Sequence, residues 1–137
     1  MDSFGVFRVS ASALAAQRQR MNVIASNMAN AHSTKTAEGG PYRRKDVVFS
    51  AEPENSGVDG LEGVKVSDVV ADTTPPKMIY DPGHPDADKN GFVAMPNVNV
   101  IEEMVNMMMA SRAYEASISA FDMSKANLMK TLDILKA

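Results

Sequence analysis

From Asn97 to Ala137 the chain holds neither proline nor glycine. Two apolar series interleave there at seven-residue intervals. One runs Val100, Met107, Tyr114, Phe121, Leu128, Leu135, and the other Met104, Ser111, Ile118, Lys125, Leu132. Alternating three- and four-residue spacing kept over about five heptads is the pattern of a helix that packs along a coiled-coil seam. Asn97 or Asn99 is expected to cap this helix, and Glu102 and Glu103 suit the positive end of its dipole. At 1.5 Å per residue such a helix is about 60 Å long. A compact globule of this chain length should span only roughly 35–40 Å. The helix therefore overhangs any compact fold available, and its seam calls for cover from other chains.

A second helix is expected from about Phe4 to Ala31, a segment rich in alanine whose single breaker is Gly5. Phe7, Leu14, Met21 and Met28 recur every seven residues, with Ile24 three places after Met21. Asp2 or Ser3 is its expected cap, and Asn30 its terminator through left-handed backbone. Between the helices, residues 33–97 hold all seven prolines and seven of the eight glycines, which breaks long helices. Short runs with strand character lie within it: Asp46–Phe49, Val64–Val70 and Lys77–Tyr80. Asn90-Gly91 reads as a two-residue hairpin turn. Glu52–Leu61, polar and poor in anchors, reads as a disordered tip.

The expected fold is mainly α with a small β-rich insertion. The N- and C-terminal helices pair as an antiparallel-type coiled coil, elongated and completed by assembly. The division is 1–34 for the first helix, 35–97 for the insertion and 98–137 for the second helix. The packing positions are Phe7, Leu14, Met21, Ile24, Met28, Val100, Met104, Met107, Tyr114, Ile118, Phe121, Leu128, Leu132 and Leu135. Met is adaptable at interfaces, and Met108 and Met109, off the seam, are expected to meet another subunit. Asn22, Asn27, Asn30, Arg43, Arg44, Arg112 and Glu115 are further interface candidates. Arg112 and Glu115 could equally form an i,i+3 pair within the helix.

Charge is uneven. Residues 1–50 carry seven Lys/Arg against three Asp/Glu, and residues 51–103 carry three against eleven, within a net charge of −3. Arg43, Arg44 and Lys45 are the single basic run, so a clustered nucleic-acid face is not expected. The absence of cysteine excludes disulfides, thiolate zinc sites and cysteine nucleophiles. Asp86-Ala87-Asp88-Lys89-Asn90-Gly91 mimics the first half of a calcium loop, but its twelfth position is Asn97 where a bidentate Glu is required. His32 and His84 lack paired ligand spacing. With no nucleophile elbow, phosphate loop or dinucleotide fingerprint, no enzyme, no cofactor and no small-molecule substrate are expected. No secretory signal pattern is expected at the N-terminal end.

Two terminal motifs and a central one resemble a known family. Ala13-Leu14-Ala15-Ala16-Gln17 and Met21-Asn22-Val23-Ile24-Ala25-Ser26-Asn27-Met28-Ala29-Asn30 resemble the N-terminal signature of bacterial flagellar rod and hook proteins. Pro96-Asn97-Val98, Glu103-Met104-Val105-Asn106 and Ser111-Arg112-Ala113-Tyr114-Glu115-Ala116 resemble their C-terminal signature. Tyr80-Asp81-Pro82-Gly83-His84-Pro85 and Asn90-Gly91-Phe92-Val93 look like the proximal-rod type, as does the long segment Ala31–Arg43 in place of a short turn. The resemblance implies a non-catalytic rod subunit that transmits torque from motor to hook and surrounds an export channel. It implies copies of itself and other rod proteins as partners. It also implies passage through the flagellar type III export apparatus to the periplasmic part of the basal body without a cleavable signal. The alternative is an export-associated adaptor that holds rod components transiently.

Overall fold

The computed structural model describes residues 3–53 and 60–136. The caps expected of Asp2 and Ser3 rest on side chains outside it, as does most of the tip expected at Glu52–Leu61. The element order is α1 (Ser3–Ala29), β1 (Lys45–Pro53), β2 (Glu62–Ala71), β3 (Lys77–Tyr80), β4 (Phe92–Met95) and α2 (Val100–Lys136). The chain is thus two long terminal helices around a small β insertion. Among the described residues, no helix is long and apolar enough to cross a membrane.

α1 is the central element. It packs against α2 on one side and against the β1–β2 hairpin on the other. The helix pair is antiparallel. The Phe7 ring meets the Phe121 ring at 5.1 Å, and Asn27 reaches Glu103 toward the other end. The inward line of α2 runs Glu103, Met107, Ala110, Tyr114, Ser117, Phe121, Ser124, Leu128, with Asn106, Ser111 and Ala113 half-buried beside it. One of the two expected series, from Met107 to Leu128, supplies its large members. The other does not: its place is taken by Glu103, Ala110, Ser117 and Ser124. Small side chains there let the two backbones approach, and Ala110 has no exposed surface at all. Met104, Ile118 and Leu132, expected in the seam, stand 52%, 39% and 43% exposed because they lie one position further round the helix. Val100 and Leu135 belong to the inward series but lie at its two ends, and both are exposed. On α1, Ile24 is buried, and Phe7, Leu14, Met21 and Met28 are half-buried.

α2 outruns its partner. With Phe7 beside Phe121, Ser3 falls level with about Lys125, and the helix continues to Lys136. Beyond Leu128, about two turns or 12 Å of α2, Met129 to Lys136, are exposed at every position.

β1 and β2 form an antiparallel hairpin with a register shift between Val48 and Phe49. Val48 pairs with Asp68 and Phe49 with Val66, so Ser67 is the extra residue, and its hydroxyl donates to the Val48 carbonyl. A bulge of this kind resets strand alternation. It keeps Val64, Val66 and Val69 all half-buried on one side of β2. The hairpin is fastened to α1 near its tip, where Val64 N donates to Ser12 Oγ (3.0 Å). A Cβ on Gly63 would meet that same oxygen at 3.0 Å, so glycine permits the close approach.

β3 and β4 form a separate antiparallel pair. Asn90-Gly91 is not a two-residue hairpin turn: β3 and β4 are joined by the whole loop 81–91, and Asn90-Gly91 only closes it. Asp88 Oδ1 accepts from both Asn90 N and Phe92 N at 2.8 Å. Side-chain bonds of that kind offer the backbone a turn that sequence alone does not distinguish from a tighter one. Gly91 sits at φ 80°, with Tyr80 Cε2 only 2.9 Å from where a Cβ would stand, so both backbone and space require glycine.

Helix ends follow local hydrogen bonding. Asn99, not Asn97, caps α2: its Oδ1 accepts from Ile101 N (3.1 Å). Asn30 ends α1 through its amide, which donates to the Ser26 carbonyl (2.9 Å), and it does not adopt left-handed backbone. One defect stands out on α1: Gln17 Oε1 is buried with no hydrogen-bond partner. An orphaned buried acceptor costs on the order of 1 kcal/mol or more. Gln17→Met, of similar shape, is expected to stabilise the chain by about 1 kcal/mol and raise Tm by roughly 3–5 °C. Thermal unfolding followed by circular dichroism checks this.

Candidate functional site

Two features merit attention: a buried polar junction where α1, β1 and α2 meet, and the uncovered surface of α2.

The junction is built on Asn27, which has no exposed surface. Its Nδ2 donates to the Lys45 carbonyl (2.8 Å) and to Glu103 Oε2 (2.9 Å). Its Oδ1 accepts from Lys45 N (2.9 Å) and from the Tyr42 hydroxyl (3.0 Å). Both donors and both lone pairs of the amide are used. The side chain thus acts toward Lys45 as a neighbouring strand would, and fixes the start of β1 on the end of α1. Glu103, also without exposed surface, turns its other oxygen to Arg44 Nε at 2.8 Å. Arg44 Nη1 reaches Asp46 at 3.2 Å, and Arg44 N donates to Asn97 Oδ1 (2.8 Å). Asn97 in turn donates to the Thr74 carbonyl, which ties in the segment between the two sheets. Burial disfavours the Arg44 cation, but hydrogen bonds and charge from Glu103 and Asp46 outweigh it and hold its pKa above the ordinary value.

These contacts bear on three of the interface candidates. Every hydrogen-bonding site on the Asn27 amide is occupied within the chain. Arg44, an interface candidate, is three-quarters buried or more as a side chain and paired with Glu103. Asn30 spends its amide on Ser26. Glu103 was legible as a dipole partner for α2, yet its main role is as the buried acid of the junction. The available signal was its position four residues before Met107, on the packing line. Tyr42 carried no such signal.

The other interface candidates are exposed. Asn22, Arg43, Arg112 and Glu115 face solvent. No ion pair joins Arg112 to Glu115 among the described residues. Met108 and Met109 are 57% and 55% exposed. Together with Ile101, Met104 and Val105, each more than half exposed, they make an apolar outer face on the first half of α2. The overhang adds Met129, Leu132, Ile134 and Leu135, the last two more than three-quarters exposed. Tyr114 lies in a shallow groove with Ala11, Leu14, Ala15 and Arg18.

Comparison with known proteins agrees with this division of the chain. Residues 7–35, α1 and its exit, match the family described as flagella basal body rod protein. Residues 89–134, essentially α2 and its approach, match the flagellar basal body rod FlgEFG protein C-terminal family. Over 98% of both chains, the protein is 47% identical to the flagellar basal-body rod protein FlgC of Salmonella typhimurium and 46% identical to that of Escherichia coli. It is 40% identical to that of Borreliella burgdorferi over 99% of both chains. The terminal helices, the insertion between them and identity along nearly the whole length lead to one conclusion: this chain belongs to the FlgC family of flagellar basal-body rod proteins and is a structural subunit of the rod.

Proposed function

We propose that this subunit works mechanically and not catalytically, as one stave of a helical wall built from copies of itself and other rod proteins. In that wall it transmits torque from motor to hook and surrounds the export channel. It reaches the periplasmic part of the basal body through the flagellar type III apparatus. Chain divisions at 1–34, 35–97 and 98–137 then correspond to wall helix, brace and wall helix.

The observation that carries this reading is surface area. The chain exposes 9351 Å², whereas a folded monomer of 14.7 kDa should expose about 6,900 Å². The excess, about 2,400 Å², matches what roughly three standard interfaces remove from one partner at about 800 Å² each. The apolar outer face and overhang of α2 belong to this exposed surface, and water covers them poorly. Asn22, Arg43, Arg112 and Glu115, all exposed, serve as polar contacts, and Met104, Met108 and Met109 adapt to neighbours that are not identical.

Charging the outer face tests it. Met104→Glu/Met108→Glu alters two exposed side chains, so stability should change by less than about 0.5 kcal/mol. Incorporation into purified basal bodies should nevertheless fall at least tenfold, with swimming lost. A variant that assembles and swims normally would remove this face from the wall.

A further inference from the structure

We propose that the Asn27–Arg44–Glu103 cluster is a register lock: it selects one axial offset between α1 and α2 and contributes little to the strength of their pairing. This does not depend on the proposed assembly.

The packing line of α2 is nearly degenerate along its length. Large stations on the packing line of α2 are Met107, Tyr114, Phe121 and Leu128, and small ones are Ala110, Ser117 and Ser124. Move α2 by one heptad, about 10 Å, and Leu128 replaces Phe121 beside Phe7. Each large station on this line remains large and apolar, and each small station on it remains small; beside the line, half-buried Ser111 gives way to Ile118. The slip would also draw part of the exposed overhang alongside α1. The connection from β4 to α2, Pro96–Asn99, measures about 13–14 Å when extended and is held through Asn97 to Arg44 N and the Thr74 carbonyl, so it is the other element that could set the offset.

One station breaks the degeneracy. The slip sets Ala110 opposite Asn27 in place of Glu103. A methyl group accepts no hydrogen bond, so one donor of a fully buried amide loses its partner. Arg44 loses the carboxylate at 2.8 Å, and Glu103 moves away from both. Buried polar groups at a single station are known to fix helix register in this way, often at a cost in stability. The hairpin shares the lock. α1 and β1–β2 are already fastened at Ser12 and Asn27, so fixing α2 on Glu103 fixes it against both at once.

The test uses the full chain, whose lack of cysteine permits site-specific labelling. Nitroxide labels are placed at Ala25→Cys and Ala116→Cys, both exposed and outside the cluster, and their separation is measured by pulsed electron resonance. Arg44→Met/Glu103→Met removes the charge pair while Asn27 keeps its hold on Lys45. The parent chain and Glu103→Gln, whose single amide oxygen still accepts from Asn27, should each show one distance. The double variant should keep its helical content and cooperative melting but gain a second population shorter by up to about 10 Å. A single native distance in the double variant would overturn the proposal and assign register to the Pro96–Asn99 connection. Loss of cooperative folding would overturn it too, since the cluster would then act as a source of stability.

Discussion

Glu103→Ala is expected to destabilise the chain by about 3 kcal/mol, with a fall in Tm on the order of 10 °C. Removing one partner of a buried ion pair leaves the other desolvated without compensation, which typically costs about 3–5 kcal/mol. The lower end applies here, because the Arg44 side chain keeps 19% of its surface in solvent and retains Asp46. Asn27 adds to the loss: its Nδ2 still donates to the Lys45 carbonyl but no longer to a carboxylate. Since a domain of this kind has only about 5–15 kcal/mol in all, the change is a large fraction of the whole. Urea titration is the suitable measurement, and a loss below about 1 kcal/mol would show that the junction relaxes into water. Glu103→Gln keeps one acceptor oxygen for Asn27 but turns an NH2 donor toward Arg44 Nε, so it loses both the ion pair and one hydrogen bond.

Removing residues 129–137 should have the opposite profile: little effect on the folded chain and a large effect on the rod. Leu128 is the last half-buried residue of α2, and from Met129 to Lys136 every position is exposed. Stability should therefore change by less than about 1 kcal/mol. In the assembled wall, Leu132, Ile134 and Leu135 would become buried at about 1.5–3 kcal/mol each. Losing three such anchors corresponds to roughly a thousandfold or more in affinity. Basal bodies from cells with the shortened chain should lack it, and swimming in soft agar should stop. Fractionation of the cells separates a failure of assembly from a failure of export. A shortened chain that swims normally would show that the overhang stays uncovered in the rod.

These two substitutions act on features that differed in how visible they were beforehand. The overhang was legible: a run without proline or glycine from Asn97 onward, with heptad repetition, fixes a helix longer than its partner. The junction was not. Asn27 and Glu103 are separated by most of the chain, and Arg44 stood in a basic run that looked solvated. Each residue alone has an ordinary surface explanation, and only their convergence makes them buried. The partition of α2 was half legible for a related reason. Heptad arithmetic located both apolar series but could not show that small residues one position away would face α1, leaving Met104, Ile118 and Leu132 outside. Close approach of two backbones depends on both surfaces together, and one sequence segment carries only one of them.

By itself, then, the amino-acid order determined the two helices, the interrupted middle and the surplus of apolar surface. Periodicity and the placement of breakers are local properties, settled within a few turns of chain. The tertiary structure alone decided the axial offset of the helices, the face of α2 turned inward, the bulge at Ser67 and the length of the β3–β4 loop. Each of those depends on hydrogen-bond partners brought from distant parts of the chain or on side-chain bonds competing with a tighter turn, and no local pattern chooses between such alternatives.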